Sequence, residues 1–459
     1  MLFVNYDTIA AISTPPGIGG VGIVRISGTK AWEIADQLFI PLHSSAAPQT
    51  AYPDCRVGHF YANHDMLDEC VCLRFCGPKS YTGEDVAEFQ CHGGRTVLQL
   101  CLKAVLNAGA RLAEPGEFIA RRFTNGKIRL DEAESIARLL TAQTEQEVQL
   151  TSALLDGSLH RKFLDIREQI LNMAAETAFT VDYPEEDGAV FDFRSFIKPL
   201  QELRRECDIL LMTTQANAAR LDGLTVAIIG SPNVGKSTLL NALLGYDRAI
   251  VTEIPGTTRD TVQEMVVIDG IKLLLQDTAG IRAPADEAER IGIDRARAAM
   301  ENAQIVLLVL DSTKPLSSTD LELLQSCKPA KTLLLLNKHD DPHEELSPSS
   351  LPDRFKCVEI SALHRQGIDK IVPAIQQLTQ TSPAPPNDPI LCSARQEALI
   401  EEIHGALSLA IEVISLPIPL IDIFQQELEQ VLQATFDLTG ENTQIKVMEA
   451  VFARFCVGK

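Results

Sequence analysis

The sequence predicts a multidomain protein that combines α+β and α/β parts with long helices. Short strand-like runs alternate with loops up to about residue 125, helical periodicity follows from Leu130, and regular strand–helix alternation begins at Thr225. Mixed short strands and helices indicate an α+β domain, whereas strictly alternating ones are typical of a doubly wound parallel sheet. We therefore expect an N-terminal α+β domain, a discontinuous α-helical domain and an inserted doubly wound α/β domain.

Composition marks the boundaries of these parts. We place the N-terminal domain at 1–125, the first helical segment at 126–220, the α/β domain at 221–381 and the second helical segment at 382–459. The last segment opens with the proline-rich stretch Ser382–Pro389, which is a linker by composition. Helices on both sides of a complete α/β domain indicate an insertion, because chain termini that lie close together tolerate being spliced into a host.

Hydrophobic periodicity predicts the individual elements in order. In the N-terminal domain we expect strands at Thr8–Ile12, Val21–Ile26, Arg56–Tyr61, Cys70–Phe75 and Val86–Gln90, and helices at Lys30–Leu38 and Thr96–Asn107. The helical segments are expected at Leu130–Thr141, Glu145–Thr180, Phe193–Ala219, Ser393–Ile414, Phe424–Phe436 and Thr443–Phe455. In the α/β domain we expect strands at Thr225–Ile229, Ile271–Gln276, Ile305–Leu310, Thr332–Leu336 and Lys356–Ile360, and helices at Lys236–Leu244, Ile291–Asn302, Thr319–Gln325 and Ile368–Leu378.

Composition and cysteine usage are those of a cytoplasmic protein. Hydrophobic residues make up 45% and charged residues 22% of the chain, and the longest apolar runs are far shorter than the roughly 20 residues of a membrane span. The N-terminus has no basic region of the kind that begins a secretory signal. The eleven cysteines show no metal-ligand spacing, and their odd number favours reduced thiols. We expect no membrane association.

The net charge of −21 argues against a protein that binds nucleic acid over its whole surface. Any contact with RNA must be local, or shared with a basic partner.

Four separated motifs fit one nucleotide site. They are Gly-Ser-Pro-Asn-Val-Gly-Lys-Ser at 230–237, Asp-Thr-Ala-Gly at 277–280, Asn-Lys-His-Asp at 337–340 and Ser-Ala-Leu at 361–363. The first is a phosphate loop, whose Lys236 reaches the terminal phosphates and whose Ser237 ligates Mg²⁺. The carboxylate of Asp340 accepts hydrogen bonds from N1 and the exocyclic amine of guanine, which adenine does not offer. The motifs indicate a Ras-like G domain that binds GTP.

The segment Ile254–Asp260 lies where a switch I loop is expected. Thr258 is the candidate second Mg²⁺ ligand, Asp277 would hold the ion through water, and the Gly280 N–H would meet the γ-phosphate. The predicted GTP-binding residues are Asn233, Val234, Gly235, Lys236, Ser237, Thr238, Thr252, Glu253, Ile254, Pro255, Gly256, Thr257, Thr258, Asp277, Thr278, Ala279, Gly280, Asn337, Lys338, His339, Asp340, Ser361, Ala362 and Leu363.

The motifs do not identify the residue that orients the attacking water. Ile281 stands where Ras-type enzymes carry a glutamine. A monovalent cation near Asn233 could neutralise developing charge, and a carboxylate of the following segment could orient water. The available acids are Asp286, Glu287, Glu289 and Asp294, and the chemistry alone does not choose among them; Arg259 and Arg282 are arginine-finger candidates.

Further motifs resemble a known family. They are Thr14–Gly28, Tyr81-Thr-Gly-Glu-Asp-Val86, Cys91-His-Gly-Gly94, Pro115-Gly-Glu-Phe118, Gly256-Thr-Thr-Arg-Asp260 and the terminal Phe455-Cys-Val-Gly-Lys459. Together they are similar to the tRNA-modification GTPases of the MnmE (TrmE) family, and the resemblance spans the chain. It implies a homodimer formed through an N-terminal folate-binding domain, and a K⁺-dependent GTPase.

The resemblance also implies roles for single residues. Asn233, Thr252, Ile254 and Thr257 match the family's K⁺ site, and Glu289 matches its water-orienting carboxylate. Contacts to 5-formyl- or methylene-tetrahydrofolate are expected from Arg25, Glu88, Lys127 and Lys459. Cys456 matches the family's C-terminal cysteine, as a catalytic thiol or as a packed side chain.

The family's reaction places an aminomethyl or carboxymethylaminomethyl group on C5 of the wobble uridine (position 34) of certain tRNAs. Its flavoprotein partner MnmG, with which a heterotetramer is expected, supplies the FAD and NADH chemistry. Two alternatives remain: a GTPase switch for ribosome assembly that needs no folate, and a folate-dependent aminomethyltransferase with an accessory G domain. Tetrahydrofolate binding distinguishes the main hypothesis from the first alternative, and a requirement for GTP hydrolysis distinguishes it from the second.

Overall fold

The computed structural model of the chain describes residues 7–43, 53–182, 192–245, 250–252, 263–277, 299–341, 343, 345–379, 389–441, 445–453, 455 and 457–458. The chain divides into two compact units. The first unit comprises Met1–Leu140, Leu154–Asp208 and Leu391–Lys459, and the second comprises Thr141–Ala153 and Ile209–Ile390. The second segment of the helical host therefore returns to the unit that holds the N-terminus.

The N-terminal part of the first unit is a seven-stranded sheet with helices. Its strands are β1 (Ile9–Ile12), β2 (Val21–Ser27), β3 (Phe39–Pro41), β4 (Asp54–Ala62), β5 (Asp65–Phe75), β6 (Val86–His92) and β7 (Arg111–Leu112), in the order β3-β4-β5-β6-β2-β1-β7. The helices are α1 (Ala31–Leu38), α2 (Arg95–Asn107) and α3 (Glu117–Thr124). Its core includes Phe60 and Phe89, whose rings meet edge to face at 4.9 Å. The expected α+β domain is confirmed, although the sequence missed β3, β7 and α3.

Four long helices follow. They are α4 (Leu130–Thr141), α5 (Glu145–Leu154), α6 (Ser158–Asp182) and α7 (Ile197–Leu221). The single helix expected at Glu145–Thr180 is wrong. Gly157 has a left-handed φ of 77°, which ends the helical path, and the Asp156 carboxylate accepts a hydrogen bond from the Ser158 N–H at 2.7 Å, which starts a new helix.

The second unit contains a mixed seven-stranded sheet. Its strands are β8 (Leu224–Ile229), β9 (Ile250–Thr252), β10 (Gln263–Ile268), β11 (Ile271–Asp277), β12 (Ile305–Asp311), β13 (Thr332–Asn337) and β14 (Lys356–Glu359), in the order β14-β13-β12-β8-β11-β10-β9. The helices are α8 (Lys236–Leu244), α9 (Ser318–Ser326) and α10 (Ile371–Thr379). Five strands are parallel, but β10 runs antiparallel to both neighbours, and the sequence missed β9 and β10. The helix expected at Ile291–Asn302 begins outside the described residues.

Buried apolar residues line both faces of this sheet. One face packs Val226, Leu307 and Leu335 against α8 and α10, and the other packs Leu308, Leu334 and their neighbours against α9. Strands that are buried on both faces read as continuous hydrophobic runs, which is why Ile305–Asp311 and Thr332–Asn337 were recognisable as strands.

The chain after the second unit is helical. The helices are α11 (Ala394–Ser415), α12 (Ile421–Thr439) and α13 (Ile445–Phe452). α12 packs against both α11 and α6. The buried Glu134 carboxylate of α4 accepts two hydrogen bonds from Arg395, at 2.9 and 2.7 Å, and one from Gln396 at 2.9 Å. Helices from both sides of the insertion thus form one discontinuous helical domain, as expected, but Thr141–Ala153 and the part of α7 from Ile209 onward group with the second unit.

Among the described helices, none is both long enough and apolar enough to cross a membrane.

Candidate nucleotide and N-terminal sites

The nucleotide motifs gather at one edge of the second unit's sheet. The phosphate loop follows β8, Asp277 ends β11, and Asn337 ends β13. Because these strands are parallel, their carboxyl ends lie at the same edge, where α/β folds bind ligands. Ser361 follows β14 by two residues and pairs with Gln366 in an isolated bridge.

The phosphate loop has backbone conformations that few residue types adopt. φ is 148° at Gly230, 65° at Asn233 and 99° at Gly235. A Cβ at Gly230 would lie 2.4 Å from the Val309 carbonyl oxygen, and one at Gly235 would lie 2.3 Å from Asn337 Nδ2. Glycine is therefore required at both ends of the loop.

The ammonium group of Lys236 lies over this loop. Lys236 Nζ donates hydrogen bonds to the carbonyl oxygens of Gly230 at 2.7 Å and Ser231 at 2.8 Å. The loop is braced from outside, because the Ser231 hydroxyl donates to the Asp320 carboxylate at 2.6 Å. A loop of N–H groups, a helix N-terminus and a lysine form a concave site for phosphates.

Asn337 joins the phosphate loop to the base-binding loops. Its Nδ2 donates to the Val234 carbonyl oxygen at 2.8 Å, and its Oδ1 accepts from the Ala362 N–H at 2.9 Å. The side chain is 3% exposed. Asn337 was predicted as a GTP-binding residue, and in the structure it makes these internal bonds, so its contribution is to hold three motifs in register.

The base-binding loop carries the carboxylate expected to recognise guanine. A hydrogen bond with Ser361 and the nearby charges of His364 and His339 lower the pKa of Asp340. Its neighbour Lys338 has a left-handed φ of 69° and pairs with Asp311 at 2.5 Å. Burial opposes ionisation of Asp311, but hydrogen bonds from Lys338 and Thr313 outweigh it and lower the Asp311 pKa. Asp340 is therefore ionised and accepts hydrogen bonds from N–H donors at neutral pH.

Two of the remaining predicted residues are located by the ends of strands, and twelve lie outside the described residues. Thr252 and Asp277 end β9 and β11. Glu253, Ile254, Pro255, Gly256, Thr257, Thr258, Thr278, Ala279, Gly280, Glu289, Cys456 and Lys459 lie outside the described part of the chain. Asn233, Ser237, Thr238 and Leu363 are exposed, whereas Val234 and Ala362 are buried.

The described donors suit hard cations. Ser237 presents a hydroxyl and Asn233 an amide oxygen at the exposed side of the phosphate loop. Oxygen donors of this type fit Mg²⁺ when phosphates complete its shell, and they also fit a monovalent cation. The described residues contain no cluster of three or more His, Cys, Asp or Glu side chains for a metal ion.

A second polar site lies in the first unit. Arg25 of β2 stands opposite Glu88 of β6 in the antiparallel register, and Arg25 Nε donates to the Glu88 carboxylate at 2.7 Å. The Gly458 carbonyl oxygen accepts from Arg25 at 3.4 Å and from the Ser13 hydroxyl at 3.0 Å. The chain's C-terminal residues thus reach the predicted folate residues.

Gly458 fits closely against β1. Its φ is 99°, and a Cβ there would lie 2.4 Å from the Ile12 carbonyl oxygen. Phe455 anchors the approach, because its side chain is 3% exposed and packs in a cluster with Ile119 and Phe452. The terminal segment is therefore held at the sheet by packing and by backbone contacts.

Aromatic rings border the Arg25–Glu88 pair. Arg25 Cζ lies 4.7 Å from the ring centroid of Tyr81 and 5.7 Å from that of Phe118. The predicted folate residue Lys127 lies beside the same loop, since a Cβ at Gly83 would meet its side chain at 3.3 Å. The structure therefore brings Arg25, Glu88 and Lys127 to one region, with the backbone that precedes Lys459.

Sequence reasoning missed several residues that build these sites. In the second unit they are Ser231, Asp311 and Asp320, and in the first unit Ser13, Tyr81 and Phe118. Tyr81 and Phe118 lie inside motifs singled out above, which was the available signal. Asp311 ends a buried strand that neighbours β8, which places it at the same edge of the sheet as the phosphate loop.

Two family models match the chain. The model described as the N-terminus of the GTP-binding protein TrmE matches residues 8–127, and the model of the MnmE helical domain matches residues 130–456.

Curated relatives match over nearly the full length. "tRNA modification GTPase MnmE" of Clostridioides difficile (strain 630) is 34% identical over 456 residues, covering 99% of each chain. The protein of the same name from Lactococcus lactis subsp. cremoris (strain MG1363) is 39% identical over 457 residues, again covering 99% of each. That of Thermotoga maritima is 38% identical over 458 residues, covering 99% of this chain and 100% of its own.

Among solved structures, the G domain of the T. maritima FeoB iron transporter is 26% identical and covers 34% of this chain and 99% of its own, with a TM-score of 0.26. Aquifex aeolicus Era is 28% identical and covers 40% of this chain and 67% of its own, also with a TM-score of 0.26. Scores this low support no conclusion about this chain.

Proposed function

The chain belongs to the MnmE family of tRNA modification GTPases, and we propose that it is a K⁺-dependent GTPase that uses a tetrahydrofolate one-carbon unit to modify the wobble uridine of certain tRNAs. It is a GTP hydrolase by family membership. The observation that carries the proposal is the joint presence of linked phosphate-binding and guanine-binding loops in one unit and of the Arg25–Glu88 pair with the penultimate residue Gly458 in the other.

In the nucleotide site, the phosphate loop binds the phosphates and Lys236 compensates their charge. Mg²⁺ would be held by Ser237 and Thr258. K⁺ would be held by Asn233, Thr252, Ile254 and Thr257, where it supplies positive charge to the developing negative charge on the phosphate oxygens. Glu289 would orient the attacking water.

In the N-terminal site, the donors and acceptors suit a reduced folate. A carboxylate accepts hydrogen bonds from pterin N–H groups, and cations bind the carboxylates of the glutamate tail. Glu88 supplies the carboxylate that accepts from the pterin. The cations for the glutamate tail are Arg25, Lys127 and Lys459. Cys456, three positions before Lys459 in sequence, is the proposed reactive thiol of this site.

The acidic chain requires help to bind tRNA. With a net charge of −21, it lacks the excess of cations that phosphate backbones attract. We propose that it acts as a cytoplasmic homodimer with the flavoprotein MnmG, which would contribute much of the tRNA contact and the FAD and NADH chemistry. The four-segment division at residues 125, 220 and 381 remains part of this proposal.

GTP turnover in K⁺ and in Na⁺ at equal ionic strength tests the cation role. We expect strong stimulation by K⁺ in the wild type. Asn233→Gly removes the amide oxygen but tolerates the left-handed φ of 65°, and it should abolish the stimulation. Asn63→Gly, at an exposed turn with φ of 52°, is the matched control and should behave as wild type.

Glu289→Ala separates water activation from cation binding. We expect slow turnover that still responds to K⁺. Equal wild-type rates in both salts would reject the cation role and favour an arginine finger. Lack of tetrahydrofolate binding would favour the ribosome-assembly switch.

A further inference from the structure

One aromatic ring in the first unit contacts two guanidinium groups. Tyr81, in the loop between β5 and β6, has Arg25 Cζ and Arg122 Cζ each at 4.7 Å from its ring centroid. Each cation is attracted to the ring's negative face, while the two cations repel each other. Arg122 and Arg25 are therefore both held against the same ring.

The two arginines differ in how their charge is compensated. Glu88 pairs with Arg25 at 2.7 Å. Within the described part of the chain, no carboxylate pairs with Arg122, and its buried Nε has no hydrogen-bond acceptor. A buried donor without an acceptor costs free energy, so the position calls for an explanation.

A second cation without a carboxylate partner among the described residues lies beside the same loop. Lys127 is exposed and packs along Gly83, and Asn125 ties the end of α3 to this loop by donating to the Thr82 carbonyl oxygen at 2.8 Å. The carboxylates nearby are already engaged: Glu84 pairs with Arg121, and Glu117 pairs with Arg111 and Arg121. Positive charge is thus left over where α3 meets the Tyr81 loop.

We propose that Arg122 is a further folate-binding residue, which binds carboxylates of the glutamate tail, and that Tyr81 is its positioning residue. This proposal rests on the folate site proposed above. Arg122 and Arg25 contact the same ring, and Glu88 pairs with Arg25, so one elongated ligand can contact all three. A planar guanidinium matches a carboxylate with two parallel hydrogen bonds, which a lysine cannot provide.

A purely structural role for Arg122 makes a different prediction. The residue lies in the last turn of α3, where a cation interacts favourably with the helix dipole. If that were its whole contribution, its removal would lower stability and leave ligand discrimination unchanged.

The test is the affinity of the full chain for two ligands, measured by calorimetry with direct and competitive titration. The ligands are 5-formyl-tetrahydrofolate, which carries the glutamate tail, and 5-formyl-6-methyl-tetrahydropterin, which carries no carboxylate. We expect Arg122→Ala to weaken binding of the folate about tenfold, as for loss of a charge-assisted hydrogen bond, and to leave the pterin affinity unchanged. Arg122→Lys should recover part of the loss, and Tyr81→Leu should reproduce part of it.

Arg95→Ala, which removes an exposed arginine of the same unit, is the matched control and should bind both ligands as wild type. The inference is overturned if Arg122→Ala weakens both ligands equally, weakens neither, or weakens only tRNA binding measured in parallel. If the wild type binds neither ligand, the folate site itself is wrong, which is distinguishable because no variant is needed to see it.

Discussion

The two units each contain a seven-stranded sheet, yet they assemble their sites in different ways. In the second unit, the site is made of short contiguous loops at the ends of neighbouring parallel strands. In the first unit, Arg25 meets Glu88 across antiparallel strands and also meets Gly458, which is 433 positions away in sequence. The first kind of site depends on local loop conformation, and the second depends on the fold of the whole unit.

The largest expected effect comes from the phosphate loop. Lys236→Ala removes the charge that faces the terminal phosphates, and we expect GTP turnover to fall about 10³-fold, the upper range for loss of one electrostatic contact. Phosphate release checks this. Folate affinity should not change, and Lys314→Ala, an exposed lysine of the same unit, should leave turnover intact. A parallel loss of folate binding would show that the two sites are not independent.

Asp340→Asn should weaken GTP about 10²-fold, because two charge-assisted hydrogen bonds to guanine are lost. The same variant should prefer xanthosine triphosphate, whose C2 oxygen accepts from the new amide. The pKa of Asp340 is lowered, so its carboxylate is fully present at neutral pH and is lost only as the pH falls through that lowered value. Binding titrations from neutral to acid pH check this; no change in base preference would contradict the guanine assignment.

Asn337→Ala should act on stability. It leaves the Val234 carbonyl oxygen and the Ala362 N–H without their buried partner, and each unsatisfied group costs about 1–3 kcal/mol. Urea unfolding followed by hydrogen exchange should show opening of the second unit at lower denaturant while protection in the N-terminal sheet is unchanged. Loss of protection in both units would mean that they unfold together.

Arg25→Ala should weaken folate binding about tenfold and leave the Glu88 carboxylate without its partner. GTP turnover in the absence of tRNA should stay at the wild-type value. Arg56→Ala breaks a comparable pair with Asp54, at 2.9 Å on the same sheet, and serves as the control. Equal losses in the two variants would mean that the sheet, and not the site, had been damaged.

The contrast between the two sites explains which of their residues could be predicted from the sequence. Each nucleotide motif is contiguous, and parallel strands bring their ends together without further information, so Lys236 and Asp340 were assigned from chemistry alone. Asp311 and Asp320 were missed because the sequence does not show their contacts. Asp311 pairs with Lys338, and Asp320 accepts a hydrogen bond from Ser231.

The N-terminal site was predictable only through family resemblance. Nothing local to Arg25 or Glu88 indicates that they are register partners, and the contact with Gly458 depends on the path of α13 and the terminal residues. The fold class was easier to predict than this site, because runs of apolar residues and helical periodicity are local features of the sequence. The break at Gly157, the edge strand β9 and its neighbour β10 depend on turn conformation and on pairing partners, which the pattern does not contain.

The most direct test of the account is a reconstituted modification reaction. The chain, MnmG with FAD and NADH, a methylene-tetrahydrofolate carrying a labelled carbon, and unmodified tRNA are incubated with GTP or with a nonhydrolysable analogue, and the tRNA nucleosides are analysed by mass spectrometry. The account predicts labelled carbon on C5 of the wobble uridine only when folate and hydrolysable GTP are both present, and none with Lys236→Ala. Full labelling without GTP hydrolysis, or unlabelled modification, would contradict it.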